Sequence, residues 1–242
     1  MFTGAQTLPS GQALWHLLQT SDQFFPTGGF AFSHALEMYV AAGLVRDRAS
    51  CQQLFIDLFN HAIGPTDLVF CAHAHRLAAG PGAADAKLPS LVDLDHLLAA
   101  TKVARELRLE SQHVGRSFLR AVMALSPSAL LRAFWGQVQQ GETPGHHATA
   151  FGLVAHELGL PETSALLAYL YTVASSLAAA AVRLVPLGQS DGQRLLHELQ
   201  PCCLDLVQRY AHLTPADAWN GAPGLDIRSM QHERLYSRLC RS

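Results

Sequence analysis

Thirteen histidines and five cysteines give this 242-residue chain the raw material for a metal site. The spacing does not assemble one. His73 and His75 are two apart, which on a helix aims them about 200° from each other. His146 and His147 are adjacent and share that defect, and no His-x-x-x-His or HExxH pair occurs. The vicinal thiols of Cys202 and Cys203 suit a soft metal, but cysteine is as readily a small buried apolar residue. Glu106 and Glu110 fall on one helix face, as a di-iron pair does. Glu110-x-x-His113 supplies one ExxH, whereas that chemistry needs a second, and none follows Glu157, Glu162 or Glu198. No nucleophile elbow is expected. A GxxxxGK[ST] phosphate loop is absent, and Gly-Lys occurs nowhere, which argues against a P-loop hydrolase. The reading is therefore of a non-enzyme, with no catalytic residues, no metal ligands and no cofactor. The alternative is a helical metal- or small-molecule-binding enzyme, which would need ionisable groups converging in a pocket.

The elements behind these residues are helical. Strand alternation is never sustained, and alanine and leucine recur throughout. Residues 164–182 carry no charge and only four leucines among much alanine and serine. Spanning segments gain most from Leu, Ile, Phe and Val, so this reads as a buried central helix and not a membrane span. Pro26 followed by Gly28 and Gly29 forces a tight turn after a first helix over 13–20. Ser33 looks like the N-cap of a second helix that ends near Gly43. A third runs over 49–63 until Gly64-Pro65 breaks or kinks it, and helix resumes to Leu77. Residues 79–89 read as a surface loop, 93–124 as one helix with Val103, Leu107, Val114 and Phe118 on one stripe, and Ser126 as the next cap. The expectation is an all-α, single-domain bundle of about nine helices over residues 1–211, with an irregular tail over 212–242 that orders on binding.

Composition narrows the function. Charged residues are only 15% of the chain and apolar ones 49%, with a formal net charge of −2. The balance argues against nucleic-acid binding. A surface so poor in charge suggests partial cover by a partner. The odd cysteine count fits free thiols in a reducing cytosol, and the first ten residues lack a signal-peptide layout. Both point to a cytoplasmic location.

Five segments then stand out in order along the chain. They are Asp22-x-x-Phe-Pro-Thr-Gly-Gly-Phe-Ala-x-Ser33-x-x-Leu-Glu37, residues 105–115, Gly145-His146 through Phe151-Gly152, Pro186-Leu-Gly-Gln-x-Asp-Gly-Gln193, and His232-Glu-x-x-Tyr236-Ser-Arg-Leu-Cys-Arg-Ser242. Together they resemble the UreF family of urease accessory proteins. The resemblance implies an all-α fold without enzymatic activity. It implies a scaffold that joins UreD (also called UreH), recruits and modulates the GTPase UreG, serves nickel insertion into apo-urease, and forms a homodimer. Pro26, Gly28, Gly29 and Phe30 match the family's helix-linking turn, with Ser33 and Glu37 after it. That turn either serves the fold, Phe30 filling the core, or presents a docking surface. Gly188, Gln189 and Gln193 match a turn between long helices, with the same two readings. Tyr236, Arg238 and Arg241 match the tail used against UreD, and Tyr and Arg are the residue types that dominate hot spots. Two departures are visible. Ala35 stands where the family commonly has glycine, which is of no consequence if the position is helical. Cys240 stands where Phe is usual, which would weaken docking by roughly 1–2 kcal/mol of lost apolar burial.

Overall fold

Alanine- and leucine-rich segments bury best as helices packed closely on one another, and that is the arrangement found. A computed structural model describes residues 9–236 and 238–241. Among them there is no strand. The helices are α1 (Gly11–Ser21), α2 (Leu36–Ala41), α3 (Arg48–Leu58), α4 (Val69–Ala79), α5 (Ala84–Thr101), α6 (Arg105–Leu125), α7 (Ala129–Gln140), α8 (His147–Glu157), α9 (Glu162–Leu184), α10 (Gln189–Tyr210) and α11 (Pro223–His232). A π-helical stretch, Phe59–Leu68, joins α3 to α4 without a break. These three form one rod, so the bundle has ten helices among the described residues, close to the nine expected.

The uncharged segment is α9, and two-thirds (67%) of its apolar window is buried inside the protein, as in a core helix. It packs against α10, α8 and α1. Beside it, α8 is buried along Ala148–Ala155 and wedged between α4 and α6. Small residues allow this closeness. A Cβ on Gly152 would stand 2.1 Å from the Cys71 carbonyl oxygen of α4, so only glycine fits.

Several boundaries differ from the sequence reading, each for a local reason. Gly64-Pro65 does not break the helix. The wider π turn accommodates it, and the His61 carbonyl on the same turn accepts from Gly221 N at 2.8 Å. The stretch 93–124 is two helices. Lys102 turns extended, its ammonium pairs with Asp67 at 2.8 Å, and Arg108 holds its carbonyl at 2.7 Å. Val103 is consequently exposed rather than on the buried stripe. Ser128, not Ser126, caps α7, accepting from Leu131 N at 3.1 Å. Part of the expected loop over 79–89 is the first turn of α5.

Ser33 is not the N-cap of α2. His34 and Ala35 intervene, both left-handed, with φ of 50° and 60°. Ala35, expected to be inconsequential in a helix, thus occupies a conformation in which glycine is the unstrained residue.

Much of 212–242 is irregular, as expected, yet it is tied down without a partner. Trp219 N donates to Pro65 O and Thr66 Oγ1 to Trp219 O. Helix α11 packs on α2 and α6 and buries Leu225, Ser229 and His232.

Candidate partner-binding face and the cavity behind it

The turn after α1 sorts four phenylalanines by side. Phe25 and Phe32 point inward, 5.5 Å from the Phe118 ring and 5.4 Å from the His113 ring. Phe24 and Phe30 point outward, 94% and 67% exposed. The core-filling reading of Phe30 therefore fails. Pro26, exposed, sits in a tight turn closed by Thr27 N to Phe25 O at 2.7 Å. Gly28 is left-handed at φ 71°, and a Cβ there would meet His113 Nε2 at 3.1 Å. Its glycine serves the fold. Gly29 opens a single 3-10 turn, Gly29–Ala31.

Two buried carboxylates tie this turn to the C-terminal tail. Glu37 of α2 accepts from the backbone N–H groups of Leu239 (2.8 Å) and Cys240 (2.9 Å). Glu106 of α6 accepts from Arg238 at 2.9 Å. The fully buried His232 ring spans them, with Nδ1 2.8 Å from Glu106 Oε2 and Nε2 3.2 Å from Glu37 Oε2. Burial alone would raise the pKa of Glu37, but the two N–H groups and His232 hold it below the usual carboxylate value. Arg241 N completes the strap by donating to Ala31 O at 2.8 Å. Thus the structure brings the turn, Glu37 and the tail together. Tyr236 and Leu239 remain exposed beside it. Ser33, also buried, has its hydroxyl 3.4 Å from Glu37 N.

Glu106 and Glu110 were the residues whose spacing suggested a di-iron pair. Each instead holds its own histidine, His232 for Glu106 and His34 for Glu110 at 2.5 Å. Burial opposes a charge on His34, yet the Glu110 carboxylate outweighs it and raises its pKa. The His113 of the ExxH lies against Phe32. Sequence alone had no way to pair positions so far apart. The signal available was the i, i+4 acidic pair on a helix that otherwise carries basic residues.

Behind the turn lies a cavity of about 120 Å³ with a mostly apolar lining, into which His34, Asp67, Lys102, Glu110, His147 and Tyr169 bring polar groups. His147 is packed by Phe118, Phe151 and Tyr169, and burial lowers its pKa to about 4. Its neighbour His146 is lowered to about 3, by burial first and then by Lys102, Arg108 and Arg116. No group of three His, Cys, Asp or Glu side chains placed to hold an ion occurs among the described residues.

Gly188, Gln189 and Gln193 are exposed where α10 begins. Gly188 donates its N–H to Asp191 Oδ2 at 3.2 Å. Its φ is −87°, and a Cβ would have room, so the backbone does not require glycine there. Gly188-Gln-Ser-Asp-Gly192 does carry the letters of a nucleophile elbow, contrary to expectation. An elbow needs a strand-to-helix turn, and here helix α9 precedes it. Cys240 corrects another expectation: its side chain is 5% exposed, so its lost aromatic bulk is a matter of packing and not of docking surface.

Fold and site define an all-α protein with an outward aromatic turn strapped to its own C-terminus beside a cavity. The UreF family model matches residues 45–200. The chain is 34% identical to the urease accessory protein UreF of Bacillus sp. (strain TB-90), over 93% of this chain and 97% of that one. It is 36% identical to the UreF of Azorhizobium caulinodans, over 99% and 98%, and 37% identical to that of Xanthobacter autotrophicus, over 90% and 86%. The chain belongs to the UreF family of urease accessory proteins.

Proposed function

We propose that this chain is a non-catalytic scaffold of urease maturation in the cytoplasm. It binds UreD/UreH, recruits and modulates the GTPase UreG, and so serves nickel insertion into apo-urease, acting as a homodimer. The observation that carries this reading is the exposed aromatic face formed where the tail meets the turn. Phe24, Phe30 and Tyr236 are 94%, 67% and 105% exposed, and the Ala31–Arg241 backbone bond ties turn to tail. Aromatic and arginine side chains with little packing of their own are suited to anchoring a partner. Arg238 and Arg241 border this face, with Pro26 and Gly29 shaping the turn. Gly188, Gln189 and Gln193 offer a second surface whose glycine is not demanded by the backbone.

The test is capture of purified UreD and UreG by this chain, with urease activation as the readout. Capture of UreD, and of UreG only when UreD is present, is the expected result. Failure to capture folded UreD would sink the reading.

A further inference from the structure

We infer that the cleft between α4 and the first turns of α5 is a binding site for a small phosphate-class oxyanion. It shares no residue with the cavity behind the turn. The cleft measures about 250 Å³, below the roughly 300 Å³ at which pockets for drug-sized molecules begin. Two helices each bring an i, i+3 pair to it: His73 with Arg76 from α4, and Lys87 with Ser90 from α5. Residues three apart are neighbours on a helix surface, so the members of each pair reach the cleft together. No carboxylate lines it among the described residues. Only 15% of this chain is charged, its formal net charge is −2, and lysine occurs only at positions 87 and 102. Three basic side chains on one small cleft, without an acidic one, are therefore a local concentration that the composition of the chain does not supply elsewhere by default.

Donors remain once the internal bonds are counted. Lys87 Nζ gives one hydrogen to Ala78 O at 2.7 Å, which leaves two of the three on an ammonium. Arg76 Nη1 holds Glu162 at 2.9 Å and the Ala211 carbonyl, and Nη2 holds Leu213 O at 2.7 Å. A guanidinium has five N–H groups, so Nε and one hydrogen on Nη2 are left over. His73 Nδ1 is sealed inside the protein without a partner, which leaves Nε2 as the polar end of that ring. The Ser90 side chain is exposed. Helix-end carbonyls repel an anion, but those closing α4 are taken. Gly80 N bonds Arg76 O at 3.0 Å and Leu77 O at 3.3 Å, and Lys87 covers Ala78 O. Glu162 neutralises Arg76 in part, yet a tetrahedral oxyanion can take charge-assisted hydrogen bonds from Arg76 and Lys87 at once. Bound there, it joins the end of α4 to the start of α5 across the intervening glycine- and proline-containing loop.

Side-chain NMR of His73 in the full-length protein reads occupancy while sodium phosphate is titrated at constant ionic strength, with sodium acetate as the control. The expected result is a saturable shift of the His73 signals that acetate does not reproduce. Lys87→Gln should weaken the apparent affinity at least tenfold, whereas Arg132→Gln, exposed on α7, should leave it unchanged. Arg76 is a poor choice of variant, because it also holds the Ala211 and Leu213 carbonyls. Glycerol phosphate, titrated separately, distinguishes the two sources of this chemistry. Tighter binding than inorganic phosphate assigns the site to a phosphomonoester, and equal or weaker binding assigns it to the free ion. A His73 shift that stays linear and matches acetate for both probes would overturn the inference, as would full affinity in Lys87→Gln. Should Lys87→Gln lose its helical circular dichroism, Ser90→Ala at an exposed position decides instead, and it should weaken binding several-fold.

Discussion

Acid should unfold this protein through two histidines that the helix packing keeps neutral. His146 is fully buried, and its pKa falls from 6.5 to about 3. His147, wrapped by aromatic rings, falls from 6.5 to about 4. Both folded values lie below the unfolded one, so between them the unfolded chain binds more protons and stability drops as pH falls. pH 5 is about 1.5 units below the rings' unfolded value of 6.5 and still above both folded values. At roughly 1.4 kcal/mol per unit, each loses about 2 kcal/mol, and the pair about 4 kcal/mol relative to pH 7. His34 works the other way, because its raised pKa makes its contribution present in acid and lost as pH rises. Glu37, with a pKa lowered from 4.5, adds further loss as pH falls from about that value toward its lower folded one. Urea unfolding followed by circular dichroism at pH 7 and pH 5 measures the total. His147→Phe keeps a ring among Phe118, Phe151 and Tyr169 but cannot titrate, so its acid loss should be smaller than the parent's by about 2 kcal/mol. Equal stability of the parent at both pH values, or an undiminished loss in the variant, would refute the reasoning.

Other perturbations have definite expectations. Gly152→Ala drives a methyl into the Cys71 carbonyl oxygen at 2.1 Å, backbone against backbone, and should cost about 3 kcal/mol of unfolding free energy. Ala35→Gly relieves a left-handed alanine, worth about 1–2 kcal/mol. It gives up one buried methyl, about 0.8 kcal/mol, and admits glycine's extra freedom when unfolded, about 0.4–1 kcal/mol, so chemical denaturation should register a net change under about 1 kcal/mol. Phe30→Ala and Tyr236→Ala remove exposed rings and should leave the melting temperature within about 2 °C. Each should weaken UreD capture at least tenfold, about 1.4 kcal/mol. Undiminished capture by both would locate the partner face elsewhere.

The helical class and the buried role of α9 were legible because both rest on local composition. The rest depended on distance. Nothing in the order of residues announces that Glu37, Glu106 and His232 share one buried cluster, since 195 positions separate the first from the last. The i, i+4 carboxylates were noticed for their spacing, but spacing says only that they share a face and not what that face meets. Phe30 shows a related limit. Its sequence context left it between filling the core and presenting a docking surface, and only the folded turn shows it outward with Phe24 while Phe25 and Phe32 are buried. Ala35 was misjudged for the same reason, because the assumed helix began two residues too early.

Pro65 gives the C-terminal region two parts of different standing. A proline in a helical rod subtracts a donor from the rod itself, and here two backbone N–H groups from far along the chain, those of Trp219 and Gly221, bond the carbonyls of Pro65 and His61 on the same turn. The segment through Trp219 and Gly221 is therefore bonded along the α3–α4 rod at its irregular turn, and that turn is braced by residues from elsewhere in the chain. Only what lies beyond α11 is free to serve as an appendage. A chain cut near residue 212 would lose part of its interior; a chain cut after α11 would lose only its strap.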